Sequence, residues 1–130
     1  MNCDDEASVT SHYILIAEDD QMIRHVLARV VQNLIPQAQL IEVGNGLDAL
    51  DVLQQYSFSA VLTDFHMPGA SGLNVVTAAR NRSATLPIIV ISAHPGVEVS
   101  VMAAGATAFI AKPFAITTVT TVLRAALPTI

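Results

Sequence analysis

The stretch LPIIVIS (residues 86–92) decides the fold class, because its apolar run is unbroken until Ser92. A strand with one face in water alternates apolar and polar residues, whereas a strand of a parallel sheet is covered on both faces and is apolar throughout. The stretch YILIA (13–17) has the same character and leads into the acidic sequence EDD (18–20). Both stretches therefore predict buried strands of a parallel sheet.

Helical periodicity fills the gaps between these apolar runs. Apolar residues recur at steps of three and four across 20–35, with Asp20 as the predicted N-cap and Pro36 beyond the end. The predicted strands are 13–17, 38–43, 59–64, 86–92 and 107–112. The predicted helices are 20–35, 46–56, 71–82, 97–104 and 115–127. The alternation predicts an α/β fold, a (βα)5 doubly wound sandwich with a five-stranded parallel sheet and helices on both faces.

Three of the predicted helices carry more detailed expectations. The last is predicted although it contains four threonines, which are poor helix formers. The fourth is expected to be short or irregular, because HPG (94–96) stands at its start. Spaced apolar residues lie on one side of the second helix, namely Leu47, Leu50 and Leu53, and keep helical spacing in the last, namely Ile116, Val119, Leu123 and Ala126.

Length and composition predict one folded domain. The chain has 130 residues, of which 52% are hydrophobic and 13% charged, a balance unlike that of disordered proteins. We assign 1–12 to a flexible N-terminal lead, 13–127 to the domain and 128–130 to a tail. The net charge of −5 disfavours direct nucleic-acid binding. One cysteine, no signal-peptide pattern and no span-length apolar stretch predict a cytoplasmic protein without membrane contact.

Polar side chains stand where the predicted strands end. They are Glu18 and Asp19 after the first strand, Asp64 on the third, Ser92 on the fourth and Lys112 on the fifth. Ligands of open parallel sheets bind at the carboxyl ends of the strands, so these side chains predict one site. Each residue alone is typical of a helix cap or an ordinary strand end. Their coincidence on four strands favours a functional site.

The donor types in this set favour phosphoryl transfer. Carboxylate oxygens are ligands for Mg²⁺, and the ammonium of Lys112 supplies a second positive charge toward a phosphoryl group. Such transfer depends chiefly on positioning and on charge neutralisation. Asp64 is central among the acids and is therefore the candidate nucleophile.

Four motifs together resemble the receiver (CheY-like) domain of bacterial two-component response regulators: ILIAEDD (14–20), VLTDFHMPG (61–69), IVISA (89–93) and GATAFIAKPF (105–114). The resemblance spans most of the chain and implies a flavodoxin-like fold. It implies a signalling protein that takes a phosphoryl group from a phosphohistidine of a sensor histidine kinase or a histidine phosphotransfer protein. It also implies a downstream protein target or output domain, and no enzyme activity beyond the protein's own phosphorylation and dephosphorylation.

The resemblance assigns a metal and a phosphoryl acceptor. Asp64 resembles the phospho-accepting aspartate of the family. Glu18 and Asp19 resemble the acidic pair that binds Mg²⁺ (or Mn²⁺) together with Asp64, with Asp19 as the direct ligand. The backbone carbonyl of His66 resembles a further ligand.

The resemblance also assigns a conformational switch. Lys112 and Ser92 occupy the positions of the catalytic lysine and hydroxyl of the family, and the bond between Lys112 and Pro113 is expected to be cis. Ser92 and Phe109 match the pair that moves on phosphorylation. Phe109 also fits an ordinary core position.

Two histidines and one methionine complete the expectations. His66 and His94 stand two residues after Asp64 and Ser92, at positions that flank the phosphoryl group in the family. Either they set the lifetime of the phosphorylated state, or they are exposed loop residues without a kinetic role. No ligand spacing indicates a zinc site. Met22 on the first helix is the predicted contact for the phosphodonor.

Several alternatives stay open. The chain is either a stand-alone receiver or a receiver cut from a hybrid histidine kinase or longer regulator. A receiver-like interaction module without phosphorylation is a second class, and the intact acids count against it. A phosphatase with an aspartyl nucleophile would need an acid in place of His66, and a flavin-binding domain would need a phosphate-binding loop in place of EDD. The few charges after residue 95 favour a protein partner or an apolar homodimer over a dimer held by salt bridges.

Overall fold

The computed structural model describes residues 12–127, so the predicted lead, apart from His12, and the predicted tail lie outside the described residues. The strands are β1 His12–Ala17, β2 Ala38–Val43, β3 Phe58–Asp64, β4 Ile88–Ser92 and β5 Ala108–Ala111. The helices are α1 Gln21–Leu34, α2 Gly46–Gln55, α3 Gly72–Arg82, α4 Glu98–Ala104 and α5 Ile116–Ala126, with a 3-10 turn at Pro95–Val97 before α4. The ten predicted elements are all present, and their ends move by two residues or fewer.

The five strands form one parallel sheet in the order β2-β1-β3-β4-β5. One apolar cluster joins the sheet to α1 and α5, and a second joins it to α2, α3 and α4. The predicted doubly wound α/β sandwich is therefore confirmed. Because the strand order reverses between β1 and β3, their carboxyl ends frame the crevice in which such folds bind ligands.

Helix caps fix where the chain turns back from the sheet edge. The side chain of Asp20 accepts hydrogen bonds from the backbone N–H groups of Met22 and Ile23, as the sequence predicts for the start of α1. Ser71 and Asn74 form a capping box at the start of α3. The peptide bond between Lys112 and Pro113 is cis, also as expected. These turns leave the strand ends open at one edge.

Two apolar residues at the helix starts are exposed. Leu47 is 60% exposed and Ile116 is 57% exposed, although the residues further along each helix pack on the sheet. Both lie in the first turn of their helix. Leu47 lies against Gly69 in the loop after β3, where an added Cβ would meet its Cγ at 2.8 Å.

The fourth helix is short, as the sequence predicts. It has seven residues and ends at Gly105, whose φ of 117° is a left-handed conformation. The guanidinium of Arg80 on α3 donates two hydrogen bonds to the carbonyl of Gly105, at 3.1 and 2.6 Å. The end of α4 is therefore tied to α3. Within residues 12–127, no helix has the length and apolar character needed to cross a membrane.

Candidate functional site

Three carboxylates meet at the carboxyl edge of the sheet. Glu18 and Asp19 follow β1, and Asp64 ends β3, the strand beside it. One oxygen from each lies within 4.8 Å of the others. Glu18 and Asp64 are buried, at 0% and 6% exposure, whereas Asp19 faces solvent. The predicted acidic cluster therefore exists, and it opens to solvent on the Asp19 side.

Lys112 joins this cluster from β5, two strands away from β3. Its Nζ lies 2.9 Å from Glu18 Oε1 and 3.3 Å from Asp64 Oδ1. Its backbone N–H donates to the carbonyl of Ser92 at 2.9 Å, which fixes the start of the loop. One ammonium thus faces two buried carboxylates, with the third close by. The local charge stays negative, which favours a further cation.

The pKa values of these groups follow from burial and from their neighbours. Burial raises the pKa of Glu18, partly offset by the hydrogen bonds from Lys112 and from the backbone N–H of Asp20. Burial also raises the pKa of Asp64, against the lowering effect of the Lys112 charge. Burial lowers the pKa of Lys112, but the contacts with Glu18 and Asp64 outweigh it and leave that pKa above its ordinary value. Lys112 is therefore a fixed positive charge at neutral pH.

The family is shown by comparison with known sequences. The profile described as response regulator receiver domain matches residues 14–124, nearly all of the described chain. The chain belongs to this family. Receiver domains are signalling modules of two-component systems, and the expected membership is confirmed.

Curated relatives support the same assignment. The receiver domain is 32% identical over 103 residues to the response regulator protein FleR of Pseudomonas aeruginosa, covering 78% of this chain and 21% of FleR. It is 34% identical over 119 residues to YkoG, an uncharacterised transcriptional regulatory protein of Bacillus subtilis, covering 88% of this chain and 50% of YkoG. The chain thus spans between a fifth and a half of these relatives.

Solved structures share the fold. The chemotaxis response regulator CheY4 of Vibrio cholerae has a TM-score of 0.81 and 25% identity, covering 91% of this chain and all of CheY4. The receiver domain of NtrX from Brucella abortus has a TM-score of 0.78 and 26% identity, covering 90% and 99% of the two chains. The expected flavodoxin-like receiver fold is confirmed.

The acidic cluster of this receiver fits the divalent metal that the family implies. Its three ligand groups are hard carboxylate oxygens, which suit Mg²⁺, and the exposed side of Asp19 leaves room for water. His66 follows Asp64 by two residues in the loop after β3, at the same edge of the sheet. The donor types therefore agree with a magnesium site.

Arg24 on α1 is a further residue of the site that the sequence patterns did not reveal. Its Nη1 donates to the backbone carbonyl of Glu18 at 2.7 Å, and its Nε lies 3.7 Å from Glu42 Oε1. Arg24 thus links the turn that carries Glu18 and Asp19 to helix α1 and to Glu42 on β2. A side chain that bonds a backbone carbonyl leaves no pattern in the sequence around its partner, so only the structure finds it.

Ser92 and Phe109 lie on the neighbouring strands β4 and β5. Ser92 is buried, and its Oγ accepts a hydrogen bond from the backbone N–H of His94 at 3.0 Å. Asp64 pairs in register with Ile91, so Ser92 stands one residue further along the edge. Phe109 is half-buried against the apolar cluster beneath α3 and α4. The structure thus brings Ser92 to the acidic edge and leaves Phe109 on the face of the sheet.

The two histidines meet at the rim of the site. The ring centroids of His66 and His94 are 4.4 Å apart with an interplanar angle of 70°, and both side chains are exposed. Phe65 packs edge-on against His66, with centroids 4.8 Å apart. The sequence placed each histidine near the site but gave no sign of their contact.

Met22 lies at the start of α1, beside the acidic turn. It is 76% exposed and lines an open groove of about 620 Å³ with Asp20, His25 and Glu42. An exposed apolar side chain next to a polar site is a surface on which a partner gains contact area. The docking role of Met22 stays a prediction.

Proposed function

We propose that this receiver accepts a phosphoryl group on Asp64 from a phosphohistidine of a sensor histidine kinase or a histidine phosphotransfer protein. The observation that carries the proposal is the contact of the Lys112 ammonium with both Glu18 and Asp64, at 2.9 and 3.3 Å, inside a cluster of three carboxylates. A carboxylate beside a fixed cation, in a cluster that opens to solvent at Asp19, supports the acceptance of a phosphoryl group by Asp64.

The reaction is a direct transfer between two acceptors. An oxygen of Asp64 forms a bond to phosphorus while the phosphorus–nitrogen bond of the donor breaks, and the electron pair of that bond stays on the leaving imidazole nitrogen, which is protonated from water. Lys112 neutralises charge on the transferred group. Phe65 donates its backbone N–H to Asp64 Oδ1 at 2.9 Å, which orients the carboxylate. Orientation and charge are the main requirements of such a transfer.

We further propose that Glu18, Asp19, Asp64 and the backbone carbonyl of His66 hold Mg²⁺, or Mn²⁺ in its place. A bound divalent cation supplies positive charge toward the phosphoryl oxygens. Glu18 would contribute its buried carboxylate to the metal site. The Oε2 of Glu18 accepts a hydrogen bond from the backbone N–H of Asp20 at 3.1 Å. Asp19 faces solvent and is proposed as the direct ligand, because it is the accessible acid of the pair.

Signal output is proposed to use Ser92 and Phe109. The hydroxyl of Ser92 moves from the His94 N–H to the phosphoryl group, and Phe109 turns inward on the adjacent strand. A phosphoryl group that interacts more favourably with the inward conformation of Phe109 than with the outward one shifts the population toward the inward conformation. His66 and His94 flank the same group and are proposed to set how long it persists.

We propose a protein, not DNA, as the direct output partner. Apolar side chains are exposed on α4 and α5, with Val99 at 80% and Ile116 at 57%. These exposed side chains also allow an apolar homodimer. An output domain outside the receiver is a further candidate, since this chain covers only half of YkoG. The proposed setting is a cytoplasmic domain, 13–127, that turns over no separate substrate.

Labelling with a small phosphodonor tests this function. The protein is incubated with Mg²⁺ and acetyl phosphate, and we expect one acid-stable, base-labile phosphoryl group by intact mass. Asp64→Asn should abolish the label, and Lys112→Met should reduce it strongly. Asp51→Asn, on the exposed side of α2, is the matched control and should label normally.

Two results would contradict the proposal. Label that persists in Asp64→Asn would place the acceptor elsewhere. Wild-type protein without label, although Mg²⁺ binds, would favour the non-phosphorylated interaction module.

A further inference from the structure

His66 and His94 form a pair of contacting imidazoles outside the acidic cluster. They lie in the loops after β3 and β4, which are neighbouring strands, and each stands two residues beyond its strand. Their ring centroids are 4.4 Å apart, and both rings are accessible to solvent. Among residues 12–127, this is the one place where two histidine rings contact each other.

The backbone holds the two loops together. The N–H of Phe65 donates to the carbonyl of Ile91 at 3.1 Å, and the N–H of His94 donates to Ser92 Oγ at 3.0 Å. The ring of Phe65 packs against His66 on the side of its own loop. The sheet thus holds the backbone of the two loops close together, so a ligand that binds both side chains meets only the cost of fixing their rotamers.

Imidazole nitrogen differs from carboxylate oxygen in the metal that it prefers. Carboxylates suit Mg²⁺, whereas imidazoles suit Zn²⁺, Cu²⁺ and Ni²⁺. Exposed side chains change rotamer readily, so both rings are able to turn one nitrogen toward a common cation from this separation. Two protein ligands leave the other positions of a tetrahedral ion to water or to an added group.

We propose that His66 and His94 bind a divalent cation of the zinc and copper class, at a site distinct from the acidic cluster. The two sites differ in donor type and lie side by side, since His66 is two residues from Asp64. A cation on the histidine pair, with its bound waters, occupies space beside Asp64, since the two histidines stand two residues beyond the neighbouring strands β3 and β4. It therefore slows phosphorylation, a consequence that rests on the proposed function, whereas the binding itself does not.

Calorimetric titration with Zn²⁺ tests the site, because Zn²⁺ has no redox chemistry of its own. The titration uses untagged protein with Cys3→Ser, which removes the only thiol, and excess Mg²⁺ to occupy the acidic cluster. We expect one Zn²⁺ per chain. Loss of a residue that only hydrogen-bonds a metal ligand lowers metal affinity roughly 10- to 100-fold. His66→Gln and His94→Gln each remove a ligand itself and should weaken Zn²⁺ binding by at least that much.

His25→Gln is the matched control, because His25 is exposed on α1, away from the pair, and this variant should bind Zn²⁺ as the parent does. Far-ultraviolet circular dichroism checks that each variant is folded. Zn²⁺ binding that survives in both His66→Gln and His94→Gln would overturn the site. The proposed site would also be overturned if His66→Gln and His94→Gln kept Zn²⁺ binding while Asp19→Asn lost it, since Zn²⁺ would then occupy the acidic cluster.

The consequence is tested by labelling with acetyl phosphate in excess Mg²⁺, with and without Zn²⁺. Zn²⁺ should slow labelling of the parent protein and have a smaller fractional effect on His94→Gln. Equal inhibition of both proteins would overturn the coupling between the two sites. Absence of any label without Zn²⁺ would instead contradict the proposed function, so the two failures are distinguishable.

Discussion

Lys112 shows how one residue sets the electrostatics of the site. Its ammonium contacts both buried carboxylates, Glu18 and Asp64, and its pKa stays above the ordinary value in spite of burial. One positive charge does not compensate two buried acids and the neighbouring Asp19. Burial therefore still raises the pKa of Glu18 and of Asp64. At the residue scale, the site favours a protonated carboxyl or a second cation.

This imbalance predicts that the metal-free fold loses stability as the pH rises. A carboxyl whose pKa is raised in the folded state stabilises the fold fully at a pH below its ordinary pKa, which is 3.8 for Asp64. This stabilisation is lost as the pH rises through the pKa of the folded state. Asp64→Asn removes the ionising group. The free energy of unfolding of the variant minus that of wild type, measured in urea without divalent cations, should therefore increase as the pH is raised above 3.8.

Asp51→Asn, on the exposed side of α2, is again the control for loss of one carboxylate. A difference between Asp64→Asn and wild type that shrinks with rising pH would mean that the pKa of Asp64 is lowered by folding.

Helix α4 shows how a helix is positioned when its own sequence provides few stabilising interactions. It has seven residues and no side-chain cap at its start, so its position depends on what holds its ends. Its end is fixed by Gly105, in a left-handed conformation, and by the two hydrogen bonds from Arg80 to the Gly105 carbonyl. Because α4 carries the exposed Val99 of the proposed output face, this attachment sets where that face lies.

Gly105→Ala should therefore destabilise the fold. At a φ of 117° a Cβ is strained, and it would meet Arg80 Nε at 3.0 Å. We expect a loss of about 1–3 kcal/mol in the free energy of unfolding, measured in urea. Gly96→Ala is the matched control, because an added Cβ there meets nothing within 4 Å. Equal stability of the two variants would show that neither the strain nor the Arg80 contact matters.

At the scale of the whole molecule, the acidic cluster lies at the switch point between β1 and β3. The order β2-β1-β3-β4-β5 brings together side chains from β1, β3 and β5, and both apolar clusters hold the sheet beneath them. The site therefore forms only when the sheet is complete. A ligand that binds the assembled cluster and not the unfolded chain stabilises the entire domain.

Mg²⁺ should accordingly raise the thermal unfolding temperature of wild type. At a concentration one hundred times the dissociation constant, the stabilisation is about 2.7 kcal/mol. Asp19→Asn should lose most of this gain, because the exposed acid of the cluster is removed, whereas Asp51→Asn should keep it. An equal gain in all three proteins, measured by scanning calorimetry, would place the Mg²⁺ outside the acidic cluster.

Much of the fold follows from local patterns, whereas coverage by other elements and contacts over long sequence distances do not. Ile88–Ser92 is buried throughout, because strands covered on both faces carry only apolar residues, and the sequence shows this directly. The exposure of Leu47 and Ile116 did not follow from the sequence, because helical spacing marks one side of a helix but not which of its residues are covered. Arg24 was missed, since its partner is a backbone carbonyl of no particular residue type.

Apolar runs and helix caps are local in the chain, so they suffice to predict the order of the elements, the parallel sheet and the residues at its carboxyl edge. Which of those residues touch depends on how the strands are arranged in the sheet. The reach of Lys112 across β4 to Glu18 and Asp64, and the contact of His66 with His94, join residues far apart in sequence. Such contacts depend on strand order and on the spacing of the strands, which no local pattern encodes.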